Sequence, residues 1–199
     1  PGTGALRNDD LFLTWPVSGQ TQTLKVVQQG TGKPWLLVQA LAAVPRTQPF
    51  DGGYQIRKNV TVVQQANPDL PRGQYTRGDI VRVTLQVNAA ADMTWAVVSD
   101  PIPAGASILG GGLGRDSQLA TQGESTANRG VWPAFEERSF DAYRAYYAYL
   151  PKGGMTTQYT IRLNNAGRFV LPPTRVEALY VPEMFGEWPN APVVVEAPR

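Results

Sequence analysis

The stretch DIVRVTLQVNA, residues 79–89, alternates apolar and polar side chains from Val81 to Ala89. Successive side chains of an extended chain point to opposite faces, so this pattern gives one apolar face and one polar face. The apolar face consists of Val81, Val83, Leu85 and Val87. A strand that is buried on one face only is typical of an antiparallel sheet.

A second alternating segment, Thr157–Leu163, predicts another half-buried strand, with Tyr159 turned inward and Thr160 outward. The Asn and Gly residues that follow at 164–167 favour a turn, because both tolerate positive φ. Arg168–Leu171 is therefore predicted to return as the partner of Thr157–Leu163. Pro172 should end that strand, because proline cannot donate to a ladder.

Further strands are predicted where β-branched and aromatic residues recur between turns rich in Gly and Pro. They are Leu11–Trp15, Gln22–Gln28, Trp35–Ala40, Val60–Gln65, Met93–Ser99, Val176–Val181 and Val193–Glu196. Turn signals recur roughly every ten residues, which is typical of a sandwich. The sequence therefore predicts an all-β fold: an antiparallel β-sandwich with a smaller partial β domain at the N-terminus.

Two segments depart from this pattern. Ser139–Leu150 has apolar residues at helical spacing, yet its many aromatic residues favour a strand, which we expect. Ala104–Gly130 holds a glycine run and few branched apolar residues, so we expect a long excursion with a short helix around Asp116–Gln122. A change of composition near Pro49–Gly53 predicts a domain boundary there.

The composition is that of a globular chain large enough to fold without a metal or a disulfide. Its 199 residues are 42% apolar and 17% charged, with a formal net charge of +2, and a chain of this size buries about 70% of its extended surface. The basic residues are scattered, so we expect no nucleic-acid partner. No apolar run approaches the roughly 20 residues of a membrane span, so we expect no direct membrane insertion.

The residue types exclude the commonest catalytic and metal sites. The chain has no His and no Cys, so neither a triad with a His base nor a zinc site of His and Cys can form. The acidic pairs Asp9-Asp10 and Glu136-Glu137 would point to opposite faces of an extended chain, whereas acid–base catalysis needs carboxylates that converge. We therefore predict that the chain is not an enzyme and uses no metal or cofactor.

Three motifs have ordinary structural explanations. The glycine run at 110–114 lacks the Gly-Lys-Ser/Thr ending of a phosphate-binding loop. Arg77-Gly78-Asp79 matches a cell-adhesion tripeptide, but Gly and Asp at the start of a strand are usual turn residues. Alternation would place Tyr143, Tyr147 and Tyr149 on one face. If that face is exposed, the alternative function is a carbohydrate-binding or adhesin-type β-sandwich.

Several short segments, in their order and spacing, resemble the C-terminal macroglobulin domain of bacterial α2-macroglobulins, the counterpart of the receptor-binding domain of animal members. The segments are Gly53–Lys58, Asp100–Gly105, Tyr149–Gly153, Tyr159–Asn164, Gly167–Phe169, Leu171–Tyr180 and Pro182–Gly186. Upstream, Gly30–Trp35 and Ala42–Pro45 look like the second half of a CUB-like domain. The resemblance implies a partial CUB-like β segment at residues 1–52 and a macroglobulin-like β-sandwich domain at residues 53–199.

The resemblance also implies a function. The family consists of broad-spectrum protease inhibitors that trap proteases after cleavage of a bait region, and this chain would be a non-catalytic structural and docking module of such a protein. Its expected partners are other domains of the same chain and, through the full-length parent, target proteases. The expected location is the periplasm, with membrane association through the parent as an option. The aromatic group Tyr180, Met184, Phe185 and Trp188 is the expected domain-docking surface.

Overall fold

The computed structural model describes residues 23–33, 35, 37–38, 46–71, 73–110, 124 and 131–198. Within these ranges the chain forms strands and no helix. The chain divides into two compact units, Pro1–Ala42 and Ala43–Arg199, and the strands all belong to the second.

The strands share a composition rich in Val, Ile, Thr and Tyr, which suits a pleated, half-buried surface. In chain order they are β1 (Phe50–Gly52), β2 (Tyr54–Gln64), β3 (Tyr75–Thr76), β4 (Ile80–Ala89), β5 (Met93–Pro101), β6 (Ser107–Ile108), β7 (Phe135–Arg138), β8 (Ala142–Leu150), β9 (Gly153–Arg162), β10 (Gly167–Phe169), β11 (Thr174–Ala178), β12 (Val181–Trp188) and β13 (Val193–Glu196).

These strands form a six-stranded sheet A, ordered β1-β12-β11-β5-β8-β7, and a four-stranded sheet B, ordered β2-β4-β9-β6. A small sheet C has the order β10-β13-β3. Neighbouring strands are antiparallel except for β13 and β3, which are parallel. The all-β antiparallel sandwich predicted from the sequence is confirmed.

The main core lies between sheets A and B, and β4 runs through the middle of sheet B. The four apolar residues of its alternating face, Val81, Val83, Leu85 and Val87, are all buried, as predicted. They join one cluster with the inward residues of β5, β8 and β11 from sheet A. Gln86 and Asn88 on the opposite face are exposed.

The chain crosses from sheet A to sheet B at a single residue. β1 pairs with β12 in sheet A, β2 pairs with β4 in sheet B, and only Gly53 separates β1 from β2. Gly53 has φ +112°, a conformation that L side chains rarely adopt. The two sheets are closely apposed at this corner, because a Cβ added to Gly186 of β12 would lie 2.0 Å from the Tyr54 carbonyl oxygen.

The ambiguous segment Ser139–Leu150 contains a strand, β8, which confirms that expectation. Tyr143, Ala145 and Tyr147 are buried, as strand alternation requires. The alternation ends beyond Tyr147, because Tyr149 is 53% exposed and Leu150 is buried. On the paired strand β5, Trp95 has a positive φ of +53°. This irregular residue of β5 lies opposite the part of β8 where the alternation ends.

One prediction about β9 is wrong. The segment after its turn, β10, pairs with β13 in sheet C instead of returning against β9, because both sides of β9 are already occupied by β4 and β6. Thr160 lies on the face of β9 opposite Tyr159 and Ile161, as predicted, but it is fully buried. The Arg82 side chain of the neighbouring strand contacts its hydroxyl, with 3.5 Å between Nε and Oγ1.

Other predicted strands need correction. Val176–Val181 is interrupted by a turn at 179–180 that separates β11 from β12. Residues 23–28 and 35, 37 and 38 lie in irregular backbone, not in the two strands predicted over Gln22–Gln28 and Trp35–Ala40. The strand at Leu11–Trp15, the helix at Asp116–Gln122 and the acidic pair Asp9-Asp10 lie outside the described residues. The division into residues 1–52 and 53–199 stays a prediction.

Candidate functional site

A cleft of about 440 Å³ lies at one end of the sandwich. Its floor is the inner face of β2, β4 and β9, and its opposite wall is the segment from Trp188 to Glu196. The lining is mostly apolar and rich in Val and Pro, and includes Val60, Val83, Ile161, Leu171, Pro189 and Pro192. Its charged and amide-bearing side chains are Lys58, Gln74, Asn190 and Glu196.

A buried ion pair closes the inner side of this cleft. Asp100 of β5 is fully buried, and the Lys58 Nζ of β2 lies 2.7 Å from its Oδ1, with the Lys58 side chain 10% exposed. The Tyr159 hydroxyl donates to Asp100 Oδ2 at 2.5 Å, and the Thr174 hydroxyl donates to Oδ1. Charge-assisted hydrogen bonds of this kind are short and strong.

The network also holds the cleft wall in place through Asn190. Lys58 Nζ donates to Asn190 Oδ1 at 3.0 Å, and Asn190 Nδ2 donates to the Pro172 carbonyl at 2.6 Å. Lys58 and Tyr159 come from sheet B, whereas Asp100 comes from sheet A. The network therefore ties the two sheets and the wall together, and every oxygen of the carboxylate has a donor.

A column of tyrosines extends this network through the core. The rings of Tyr159 and Tyr143 stack with centroids 4.3 Å apart. The Tyr143 hydroxyl donates to Glu136 Oε1 at 2.9 Å and lies 3.1 Å from Thr157 Oγ1. Burial raises the pKa of Tyr143 and of Tyr159 well above the usual value, and it raises the pKa of Tyr147 to about 12. These hydroxyls are therefore hydrogen-bond donors at neutral pH and not bases.

The acidic pair Glu136-Glu137 points to opposite faces of β7, as predicted. Glu136 reaches Arg138 and the buried Tyr143 hydroxyl, whereas Glu137 pairs with Arg144 at 3.0 Å. The two carboxylates do not converge. Among the described residues, no group of three or more His, Cys, Asp or Glu side chains could hold a metal ion. In the same part of the chain, no helix is long and apolar enough to cross a membrane.

The adhesion-like tripeptide is part of a turn. Asp79 is 1% exposed, and its carboxylate accepts the backbone N–H of Ala66 at 2.6 Å and of Thr76 at 2.9 Å. Gly78 has φ +104° and donates its N–H to the Leu163 carbonyl. The Asp79 carboxylate is inaccessible to a receptor, so this motif has a structural role.

The tyrosine platform that a sugar would need is not formed. Tyr143 and Tyr147 are 0% and 3% exposed, and only Tyr149 of the three reaches the surface. A carbohydrate ring cannot stack on a tyrosine inside the core. The carbohydrate-binding alternative therefore loses the residues on which it depended.

The predicted docking residues do not form one continuous surface. Tyr180 lies in the turn between β11 and β12 and is 75% exposed. Met184 and Trp188 are partly buried and pack against the core cluster. Phe185 is also partly buried, and it lies next to Met184 in β12, so the two side chains point to opposite faces.

Phe185 belongs to a stack of aromatic and charged side chains on sheet A. Its ring centroid lies 4.7 Å from that of Phe50, and the Arg175 guanidinium lies 4.0 Å over its face. The Arg46 guanidinium lies 4.5 Å over Phe50. Glu187 forms ion pairs with both arginines. The stack fixes the segment before β1 against β12.

Sequence reasoning missed the Lys58–Asp100 network. Tyr54, Ile56, Lys58, Val60 and Val62 occupy alternate positions of β2, so Lys58 is the charged residue in an otherwise apolar inward series. A lysine at an inward position requires a buried acceptor. The inward position of Lys58 could be predicted from this alternation, but its partner Asp100 on another sheet could not.

Comparison with known families gives a match over most of the sandwich. Residues 53–183 match the family described as the bacterial alpha-2-macroglobulin MG10 domain. The alpha-2-macroglobulin of Escherichia coli K12 is 27% identical over 179 residues, which are 83% of this chain and 10% of that protein. The chain thus spans about a tenth of the length of this relative.

Solved structures share the fold. E. coli alpha-2-macroglobulin activated by porcine elastase is similar with a TM-score of 0.62 at 22% identity, over 75% of this chain and 14% of that one. The trypsin-activated form gives a TM-score of 0.60 at 22% identity, over 75% and 11% of the two chains. A native form that spans domain MG7 to the C-terminus gives 0.57 at 22% identity, over 76% and 25%.

Proposed function

This chain belongs to the bacterial alpha-2-macroglobulin family, through its MG10 domain at residues 53–183, and from that premise we propose that it is a non-catalytic structural and docking module of a larger protease inhibitor. The parent would trap a protease after the protease cleaves a bait region. The family match is the observation that carries this proposal.

The polar chemistry of the sandwich supports a structural role. Its most buried charged group, Asp100, is held by Lys58, Tyr159 and Thr174. A general acid or base must reach the proton that it transfers, and this carboxylate is enclosed by its own donors. Such a network stabilises an arrangement of sheets and does not present a reactive group to a substrate.

The partners and location follow from the same premise. The partners would be other domains of the same polypeptide and, through the full-length parent, the trapped proteases. The location would be the periplasm. Residues 1–52 would be a partial CUB-like segment that precedes the macroglobulin-like domain at residues 53–199.

Of the four predicted docking residues, we propose Tyr180 as the contact with a neighbouring domain, because its side chain is exposed. It is 75% exposed, and Leu179 beside it is 44% exposed. Leu179 donates its N–H to the Trp95 carbonyl, and Trp95 is itself 43% exposed. Exposed apolar side chains that lie near one another are common at interfaces.

The trap is tested in the full-length parent. A protease enclosed by the inhibitor should lose activity on a large substrate such as casein but keep activity on a small chromogenic peptide, because only the small substrate can reach it. Equal loss on both substrates, or no loss on either, would contradict the proposed trapping.

The docking role is tested with a matched pair of variants. Tyr180→Asp should lower the melting temperature or the trapping capacity of the full-length parent, whereas Val170→Asp, at a 76% exposed position, should not. Both variants should leave the melting temperature of residues 43–199 alone nearly unchanged. An effect of Tyr180→Asp that also appears in the isolated unit would mean that Tyr180 acts in folding and not in docking.

A further inference from the structure

β2 is a long edge strand. Its 11 residues lie at the end of sheet B, and β4 is its hydrogen-bonded neighbour in the described part of the chain. Strands usually have about 5–6 residues. An edge strand presents a row of unpaired N–H and C=O groups, which can pair with another strand.

The register shows which residues present these groups. The Gly53 carbonyl accepts the N–H of Ala90 at 2.9 Å, so these opposite residues form a hydrogen-bonded pair. Hydrogen-bonded and non-hydrogen-bonded pairs alternate along an antiparallel ladder, and the register is constant from Tyr54 to Val62. The even-numbered residues of β2 therefore direct their N–H and C=O away from β4.

The part of this edge that is available for pairing is short. At its start, the Tyr54 carbonyl faces Gly186 of β12. At its end, a β-bulge shifts the register between Val62 and Gln64. Between these limits the outward backbone groups belong to Ile56, Lys58, Val60 and Val62, but Ile56 is 5% exposed, so the accessible edge runs from Lys58 to Val62. A β-bulge commonly terminates pairing, so the site has a defined length.

The side chains on the two faces of β2 define what can bind. On the inner face, Lys58 and Val60 line the mouth of the 440 Å³ cleft, and Val60 is 37% exposed. On the outer face, Arg57 is exposed and forms no ion pair with any other described residue. The strand and its flanks from Gln55 to Gln65 contain no acidic residue.

We propose that the edge of β2 from Lys58 to Val62 binds an extended segment of another polypeptide, which adds to sheet B as a further strand. Its inward residues are apolar and approach the cleft, and its outward face carries an acidic residue opposite Arg57. Main-chain hydrogen bonds supply the affinity in such strand addition, and alternate side chains supply the selectivity. A second copy of this chain fits less well, because it would add further basic residues to the same short ladder and no acid.

The side-chain part is tested with two synthetic peptides. Each has nine residues that alternate valine and threonine, and the central threonine is replaced by glutamate in one and by lysine in the other. NMR titration of the full chain should shift the amide signals of Lys58 and Val60. The glutamate peptide should bind about two- to five-fold more tightly, as expected for an exposed ion pair.

Arg57→Glu should reverse the preference of the chain for the two peptides, because it reverses the charge opposite the central residue. Arg168→Glu changes an exposed arginine of β10 in the same way and should leave the preference unchanged. A preference that Arg57→Glu does not alter would overturn the proposed role of the acidic residue. Amide shifts confined to residues outside β2 and the cleft would overturn the site itself.

The backbone part is tested with proline. Val60→Pro removes an outward N–H, which an edge strand tolerates, so the variant should fold and lose at least tenfold in peptide affinity. Thr61→Pro removes an N–H of the β4 ladder and should disrupt the fold. Peptides that are N-methylated at alternate residues keep their side chains but lose the backbone N–H groups at those residues. The peptide that is methylated at the residues whose N–H groups would pair with β2 should not bind.

Two further outcomes would overturn the proposal. The first is equal binding of the N-methylated and unmodified peptides, which would exclude main-chain pairing even if Val60→Pro failed to fold. The second is a concentration-dependent dimer of the unmodified chain in analytical ultracentrifugation that Val60→Pro abolishes, which would make a second copy the occupant. Neither result bears on protease trapping by the full-length parent.

Discussion

Replacing Lys58 with methionine should strongly destabilise the sandwich, because it leaves the Asp100 carboxylate buried without its cation. The Asp100 side chain is fully buried, and the Lys58 side chain is 10% exposed. Methionine has a similar length and packs well in cores, so the change removes the charge and leaves little cavity.

The size of the effect follows from the contacts that remain. Removal of one partner of a buried ion pair costs about 3–5 kcal/mol. Asp100 would keep the hydroxyl donors of Tyr159 and Thr174, which places the expected loss near the lower limit, at about 3 kcal/mol. In a domain of this size, such a loss corresponds to a fall in melting temperature of about 6–12 °C.

Urea unfolding at pH 7, followed by tryptophan fluorescence, measures the loss. Lys152→Met, at an exposed turn position, is the control and should change the free energy of unfolding by less than about 0.5 kcal/mol. Adding Asp100→Asn to Lys58→Met should restore part of the stability, because no unpaired charge stays buried. A loss below about 1 kcal/mol for Lys58→Met, or a double variant less stable than Lys58→Met alone, would refute the reasoning.

Three further predictions concern the sandwich. Gly186→Ala should lower the free energy of unfolding by about 1–3 kcal/mol, since its Cβ would meet the Tyr54 carbonyl 2.0 Å away. Gly154→Ala has nothing within 4 Å of the new Cβ and should be tolerated in the same denaturation assay. The buried Tyr54 hydroxyl has no hydrogen-bond partner within the described ranges, so Tyr54→Phe should be neutral or stabilising in thermal melts. Tyr159→Phe loses the hydrogen bond to Asp100 and should lower the free energy of unfolding by about 1.5–3 kcal/mol. Equal losses of stability in the two variants would contradict this prediction. Burial raises the pKa of Tyr147 to about 12, and unfolded tyrosine ionises near pH 10. The contribution of Tyr147 to the free energy of unfolding should therefore be constant below about pH 9 and fall as the pH rises from about 10 towards 12. Urea unfolding at pH 8 and 11 should show a loss of stability at pH 11 that is smaller in Tyr147→Phe, and an unchanged stability at pH 11 would contradict this.

The individual strands of the core could be predicted where the sequence alternates without interruption. β4 follows its pattern through Val81, Val83, Leu85 and Val87, because the core is the strongest constraint on a central strand. β8 was also predictable, since its aromatic residues override an apparent helical spacing.

The pairing of the strands was harder to predict from the sequence than the positions of the strands. β10 follows β9 after a turn, yet it joins β13, because the edge that it would need is taken by β6. The order of strands depends on which edges are free in the folded sheet, and local turn signals do not contain that information. The burial of Thr160 has the same origin, since its cover comes from Arg82 on a neighbouring strand.

The candidate site was the least predictable part. Lys58, Asp100, Tyr159 and Asn190 are widely separated in sequence and meet because two sheets stack in one particular alignment. The predicted docking residues had the opposite difficulty. Tyr180 and Phe185 are close in sequence, but a turn and an alternation of faces separate their environments.

The crossing at Gly53 has a mechanical consequence. One nearly continuous strand, from Phe50 to Gln64, is bonded first to β12 and then to β4. Tension applied to the chain before Phe50 would reach both layers within a few residues and would be resisted by rows of hydrogen bonds that lie across the direction of pull. A load that enters at Phe50 would therefore be divided between sheets A and B, and the two layers of the sandwich would resist it together.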